Sequence, residues 1–400
     1  MTDLTIVGGI YVERCIQPLW DSVYGSGGRA AEAVARLVPG RTRLVSYVGD
    51  LTRAPAEHLA DMAGFTLAPV AASYAVSFDY FHPLSTPTIR PGPKGMTPHE
   101  AIAASGEVVL RYGMLEGDAV VDAGIAVYDP QSAFGAFPFG QNGSRAGRLA
   151  VVLNRQEAAA MTGSWDAREA AGRLLRDGAE VVIVKMGGHG ALVVTEGGAE
   201  RVPAYQTRRV WKIGSGDVFS ATFAALWACR GLDPVRAADL ASRATAHYCE
   251  TRSLTVSGVA DLEALDFAPV RPGRGRIYLA APFFDIGQRW LVEEARGLLR
   301  DLGAEVFSPY HEVGPGPGVI VAPEDLAGLN ASDAVFAVLN GLDTGTVFEV
   351  GYAVRQGIPV VALAQNVKDE DLKMVTGTGC TVVDDFASAL YQAVWSLPPA

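Results

Sequence analysis

The stretch Asp343-Thr344-Gly345-Thr346-Val347-Phe348-Glu349-Val350-Gly351-Tyr352-Ala353 sets two carboxylates around an expected helix over about 347–356. Working outward, an apolar run at 334–339 precedes it and another at 359–364 follows, so the segment reads as strand, loop, helix, strand. The alternation continues upstream. A strand is expected at 277–281, a helix over about 286–302 with Ile286, Trp290, Leu291, Ala295, Leu298, Leu299 and Leu302 at helical spacing, and a strand at 304–307. Strands alternating with such helices imply a small parallel sheet with right-handed crossovers, whose ligands gather at the carboxyl ends of the strands.

This alternation starts after Leu265-Asp266-Phe267-Ala268-Pro269-Val270-Arg271-Pro272-Gly273-Arg274-Gly275-Arg276, a Pro/Gly/Arg stretch with neither helical nor strand period. We therefore expect a first domain over 1–265, a linker over 266–275 and a second domain over 276–400, since 400 residues exceed what one hydrophobic core usually organises. The Gly/Pro-rich pieces at 83–96, 129–148 and 314–318 read as ordered loops.

Composition narrows the function classes. A net charge of -11 argues against nucleic acid or an anionic membrane as partner, because such surfaces need clustered Lys and Arg. The four cysteines (Cys15, Cys229, Cys249, Cys380) form no Cys-x-x-Cys pair, and no His stands at metal-ligand spacing. A reduced, cytoplasmic protein without structural zinc is expected, acting on small molecules. Met1-Thr2-Asp3 has no basic leader character, and no apolar run reaches membrane-spanning length.

In the first domain, Gly25-Ser26-Gly27-Gly28-Arg29-Ala30-Ala31 opens a helix of small residues, and short apolar runs alternate with helical patterns, implying α/β architecture. Lys185-Met186-Gly187-Gly188-His189-Gly190 joins two strand-like runs, 181–184 and 191–194, whereas a Rossmann or Walker phosphate loop would lead into a helix. Gly214-Ser215-Gly216-Asp217 does precede a helix, the apolar run 218–226. There the glycine amides and the helix dipole favour an anion, and Asp217 could take a proton from a hydroxyl attacking a γ-phosphoryl group. Taken alone, Gly-x-Gly-Asp reads first as a plain tight turn. Asn154-x-x-Glu157 and Thr346-x-x-Glu349 both read equally as helix capping boxes, and Asp325 as a helix start. Glu13, Glu32 and Arg29 read equally as solvated surface.

Gly25-Ser26-Gly27-Gly28, Asn154-Arg155-Gln156-Glu157, 184–190 and Gly214-Ser215-Gly216-Asp217, in that order, resemble the ribokinase-like (PfkB) family of sugar and nucleoside kinases over about 1–265. The resemblance implies ATP and magnesium as cofactors and a sugar or nucleoside acceptor. It makes Asp217 the catalytic base and Gly214, Ser215 and Gly216 the anion hole. Asn154 and Glu157 become organisers of magnesium (Glu157 indirectly) and phosphates, with Lys185, Gly187 and Gly190 in the ATP site. The chain departs from the family at Trp211-Lys212-Ile213 and at Glu32, which puts ribose as acceptor in doubt.

Tyr278-Leu279-Ala280-Ala281-Pro282-Phe283-Phe284-Asp285 with Gln288, then Ser308-Pro309, Glu324-Asp325-Leu326 and the opening stretch resemble the nucleoside 2-deoxyribosyltransferase family over about 276–395. That resemblance implies a flavodoxin/Rossmann-like parallel sheet, no cofactor, and Glu349 as nucleophile at the anomeric carbon, kept ionised by the helix N-terminus. Asp325 is then the group that contacts or protonates the departing base. Tyr278 orients Glu349, Asp343 accepts from the sugar 5'-hydroxyl, Phe283 or Phe284 stacks on the base, and Gln288 is a further substrate contact. A carboxylate at the 5' oxygen favours a nucleoside over a nucleotide. Together the resemblances imply a bifunctional nucleoside-metabolising enzyme and a homo-oligomer. The alternative is a nucleoside hydrolase regulated by a catalytically inactive, nucleotide-binding kinase-like domain.

Overall fold

The computed structural model describes residues 2–131, 135–254, 256, 258–271 and 273–399. The chain separates into one unit of residues 1–207 with 211–269 and another of residues 208–210 with 270–400. Pro272, in the stretch expected as linker, lies outside the described residues.

The first unit is built on a nine-stranded sheet in the order Gly198–Val202, Ala191–Thr195, Val181–Lys185, Arg145–Asn154, Ala119–Asp129, Ile102–Tyr112, Leu4–Val7, Thr42–Val48, Thr66–Ala71. All pairings are parallel except those of the two hairpin strands that follow Val181–Lys185. Val181, Val182, Ile183 and Val184 are wholly buried, as unbroken β-branched runs are when both sheet faces are covered. A second, four-stranded sheet joins Trp20–Val23, Val12–Cys15, Ser77–Tyr80 and Thr88–Arg90. Two of the expected loops therefore contribute strand: Thr88–Arg90 lies within 83–96, and Arg145–Asn154 begins within 129–148.

Ile102–Tyr112 and Ala119–Asp129 pair in parallel from end to end with one break, yet only residues 113–118 connect them. Such a connector reaches ~25 Å at full extension, whereas returning to the start of a straight strand of this length needs ~35 Å. The strands resolve the conflict by doubling back. Arg111, near the end of the first, bonds Asp118 at the start of the second (2.7 Å), and Ser144, just before Arg145–Asn154, accepts from Val121. Pairing is interrupted at Glu107, Gly124 and Gly147. The last two are glycines whose Cβ would stand 3.0 Å and 2.9 Å from a neighbouring carbonyl oxygen. Beyond the bend, Ile102, Ala104, Ala119 and Val121 fold onto Val109, Ala126, Val151 and Leu153 in one apolar cluster, covering a sheet face that crossover helices ordinarily cover.

The second unit is a five-stranded, all-parallel sheet in the order Glu305–Phe307, Arg276–Ala280, Ala334–Val338, Val360–Leu363, Thr381–Val383. Sequence order 2-1-3-4-5 has its topological switch between the first and third strands, where such sheets open a ligand crevice. The helix Gly318–Asn330 was not legible in the sequence: only Gly328 and Leu329 of it are buried, and Pro323 lies inside it, so no apolar stripe advertises it. Among the described residues no helix is long and apolar enough to cross a membrane.

Candidate active sites

At the switch point of the second unit, Tyr278 is fully buried on the first strand, and its hydroxyl donates to Glu349 Oε1 (2.5 Å). Phe307, its register partner on the neighbouring strand, stacks on the Tyr278 ring at 5.5 Å and 14°. Gly328 makes room for the Phe307 ring: a Cβ there would stand 2.2 Å from it. Phe307 was missed as a site-shaping residue, although its place on an expected strand was the available signal.

Burial pushes Glu349 up from 4.5 to about 7; Tyr278 pulls it down, and the carboxylates of Asp325 and Asp343 raise it further. The expectation that the helix N-terminus keeps Glu349 ionised is thereby corrected. The helix is Thr344–Gln356 with Asp343 as its N-cap, accepting from the Thr346 amide (2.8 Å) and hydroxyl (3.0 Å). Glu349 falls on the second turn, beyond the reach of the terminal dipole. The same geometry excludes the Thr346-x-x-Glu349 capping box, because Thr346 is itself the capped residue.

Asp325 lies in the second half of Gly318–Asn330, not at a helix start. Its Oδ1 is buried without a hydrogen-bond partner, and burial together with Glu324 pushes its carboxyl up. A buried acceptor without a partner is costly, and protonation or a ligand would relieve it. Gln288 is spent locally: it forms a capping box with Asp285, its Oε1 accepting from the Phe284 (2.8 Å) and Asp285 (3.3 Å) amides. Phe283 packs against Tyr310 (5.1 Å) and Phe284 (5.4 Å), and Phe284 is 70% exposed. Tyr278, Glu349, Asp325 and Asp343 are thus one electrostatic group, with Phe283, Phe284 and Gln288 at the exit of the first strand.

In the first unit the expected residues meet at the carboxyl ends of parallel strands. Gly214 takes a left-handed φ of 75° before the helix Ser215–Ala224, which is almost entirely buried. Lys185, the last residue of its strand, places Nζ 2.6 Å from Asp129 Oδ2, and a Cβ on Gly216 would stand 3.5 Å from that ammonium. Lys212, noted in the sequence only as a departure, donates to Ser215 Oγ (2.9 Å), and burial lowers its pKa with the help of Lys185. Two ammonium groups therefore flank the glycine turn, an arrangement suited to an anion. Gly187–His189 forms a short turn, and Gly190, at φ 79°, lies against Val202.

Asn154 and Glu157 form the capping box. Glu157 is pushed up to about 7 by burial and by Asp129, with Lys185 opposing. Asp129 Oδ1 is buried without a partner, but its other oxygen already has Lys185 and Ser220 (2.6 Å). Among the described residues no cluster of three or more His, Cys, Asp or Glu side chains is disposed to hold a metal ion. An ion carried in on nucleotide phosphates would find the Glu157 carboxyl here, beside Asp129 and Lys185.

Asp217 is held from both sides. Its Oδ2 accepts from Arg29 Nη1 (2.9 Å) and its Oδ1 from Gln131 Nε2 (2.5 Å). Arg29 is 1% exposed, pairs with Glu13, bonds the Tyr248 hydroxyl (3.1 Å), and packs so close to Gly214 that a Cβ there would stand 2.1 Å from its Nε. The solvated-surface reading of Glu13 and Arg29 is therefore wrong. Both are buried because each is the other's counter-charge. Glu32 is partly buried, with Oε2 lacking a partner and its pKa raised by burial.

No curated protein sequence matches the chain. Among solved structures, a PfkB protein from Polaromonas sp. JS666 is 17% identical with a TM-score of 0.50, over 66% of this chain and 100% of that one. A ribokinase from Thermotoga maritima is 18% identical (TM-score 0.47, 66% and 99%). A fructokinase from Vibrio cholerae O395, bound to fructose, ADP and calcium, is 15% identical (TM-score 0.48, 66% and 99%). The family described as pfkB family carbohydrate kinase matches residues 149–259 only, so the doubled-back strands up to Asp129 lie outside the match, although the sequence reading extended it over 1–265. The nucleoside 2-deoxyribosyltransferase family matches residues 277–387. The chain thus joins an α/β unit of ribokinase-like fold, of which residues 149–259 match the pfkB carbohydrate kinase family, to a parallel-sheet unit, of which residues 277–387 match the nucleoside 2-deoxyribosyltransferase family.

Proposed function

We propose that the second unit breaks the N-glycosidic bond of a nucleoside or deoxynucleoside through a covalent ester on Glu349. The observation that carries this reading is the Tyr278 hydroxyl aimed at Glu349 Oε1, with the partnerless Oδ1 of Asp325 in the same electrostatic group. The ionised Glu349 attacks the anomeric carbon; the C–N bond breaks, its electron pair stays on the base nitrogen, and Asp325 supplies the proton. A second base or water then attacks the same carbon, the ester C–O bond breaks, and Glu349 leaves as carboxylate. Two displacements give net retention. Tyr278 steadies the carboxylate, and Phe283 or Phe284 offers a face to the base.

For the first unit the kinase reading takes ATP at Lys185, Lys212 and the glycine turn, with Asp217 as base toward a sugar or nucleoside hydroxyl. The Arg29–Asp217 ion pair favours the other reading, a unit that binds nucleotide without transferring its phosphoryl group, because both Asp217 oxygens already accept from Arg29 and Gln131 and a substrate hydroxyl must displace one of those donors.

The test is product analysis by mass spectrometry with a panel of nucleosides and deoxynucleosides, with and without an acceptor base, ATP and magnesium. Base release or exchange that vanishes in Glu349→Ala is the expected result, and turnover that survives that substitution refutes the role of Glu349. A phosphorylated product lost in Asp217→Ala would establish the kinase; ATP binding without product would establish the non-transferring reading.

A further inference from the structure

Gly318–Asn330 and Thr344–Gln356 lie side by side on the second unit, joined where Asn330 Nδ2 donates to the Tyr352 hydroxyl (2.9 Å). Between them they bury only Gly328, Leu329, Thr346, Val350 and Ala353. Fifteen of their residues are exposed, and six more are partly so.

A helix side that faces water normally carries charge, as about a quarter to a third of a soluble surface does. Here only two of the fifteen exposed residues are charged, Glu324 and Arg355. The helix Ile286–Asp301 of the same unit behaves differently: it exposes eight residues, and Arg289, Glu293, Arg300 and Asp301 among them are charged. The face that lacks charge is also apolar. Residues 318–323 carry no polar side chain, Val319 being 87% and Ile320 54% exposed, while Phe348 on the neighbouring helix is 62% exposed with Val347 exposed beside it. Leaving such side chains in water along two adjacent helices is unfavourable, and large exposed apolar patches on soluble proteins ordinarily mark contacts.

We propose that this two-helix face packs against the same face of a second copy of the chain. Depletion of charge around Phe, Ile and Val is the composition of a homodimer core. The extent agrees: the exposed and partly exposed residues come to twenty-one, against about 20–30 a side in an interface of standard size. The signs agree as well. In a two-fold contact each patch meets its own image, so a patch of one sign would repel itself. One Glu and one Arg leave this face neutral although the chain as a whole carries a charge of -11. That neutrality also gives a strongly acidic or basic partner nothing to pair with. The homo-oligomer expected from the sequence thereby acquires a face, and because Asp325 and Glu349 are borne by the same two helices, the second copy stands beside their crevice. The inference holds whether or not that crevice cleaves a glycosidic bond.

Sedimentation velocity of the full chain over a wide concentration range tests it, with Val319→Asp, Phe348→Asp and, as a control on the first unit, Leu19→Asp, whose side chain is 84% exposed. All three side chains are exposed, so none of the substitutions empties a core, and a thermal melt checks that each variant is folded. The wild-type chain is expected to sediment as a dimer or a multiple of one. Val319→Asp and Phe348→Asp should each weaken that association at least about tenfold, by placing a carboxylate where an apolar side chain is buried, and Leu19→Asp should leave it unchanged. A chain that stays monomeric throughout overturns the proposal and leaves the face to a different protein. An association that neither Val319→Asp nor Phe348→Asp weakens, or one lost only in Leu19→Asp, overturns it too.

Discussion

Replacing Tyr278 by Phe removes one oxygen from the second unit's site and leaves the ring stacked on Phe307, so its effect isolates the hydrogen bond to Glu349. The Tyr278 hydroxyl stays protonated throughout the accessible pH range, because burial and the adjacent Glu349 raise its pKa. It is therefore a permanent donor to the ionised carboxylate. A hydrogen bond to a charged group contributes about 1.5–3 kcal/mol, which at 1.36 kcal/mol per unit is about 1–2 pKa units. Glu349 stands at about 7 with the bond in place, so without it the carboxyl titrates near about pH 8–9. Only the ionised form attacks. At neutral pH its fraction drops from about one half to about 1–10%, and kcat/KM for base release falls about 5- to 50-fold, recovering once the pH exceeds the new value. The assay is the pH profile of kcat/KM for both proteins. An acid limb that stays at its wild-type position, with a uniform loss at every pH, refutes the reasoning and makes Tyr278 a substrate contact instead.

Other consequences follow from the same geometry. Glu349 binds its proton more tightly folded than unfolded, so its stability cost is absent below its ordinary 4.5 and fully present above about 7. Glu349→Gln should therefore stabilise the protein by about 2–3 kcal/mol at pH 8 and not at pH 4 in urea melts; a gain independent of pH refutes the assignment. Arg29→Met leaves Glu13 and Asp217 buried without their cation and should cost about 3–5 kcal/mol; an unchanged melting curve would show that water reaches the pair. Gly124→Val, at the bend of the doubled-back strands, pushes Cβ against the Glu107 carbonyl and should cost about 1–3 kcal/mol, measured by chemical denaturation. Lys185→Met should weaken ATP binding at least about tenfold and flatten its salt dependence, read by titration at two ionic strengths, because the ammonium beside Gly216 is lost.

The sequence by itself determined the elements whose patterns are local. The strand-helix alternation after 276, the buried helix behind Gly214, the hairpin around Gly187–Gly190 and the ordered polar set from Tyr278 to Glu349 were all legible, because periodicity and turn chemistry act over a few residues. Only the tertiary structure decided the rest. Residues 102–129 drew no expectation of their own, and that the strands fold back depends on a connector too short for their register, a fact about pairing partners. Gly318–Asn330 hid because a helix that buries two residues has no stripe. Arg29, Glu13 and Asp217 lie far apart in the chain, and nothing local distinguishes a solvated arginine from one that neutralises two carboxylates in a core. Charge burial is settled by what packs around a group, so the raised Glu349 and the held Asp217, on which the proposed chemistry turns, belong to the fold.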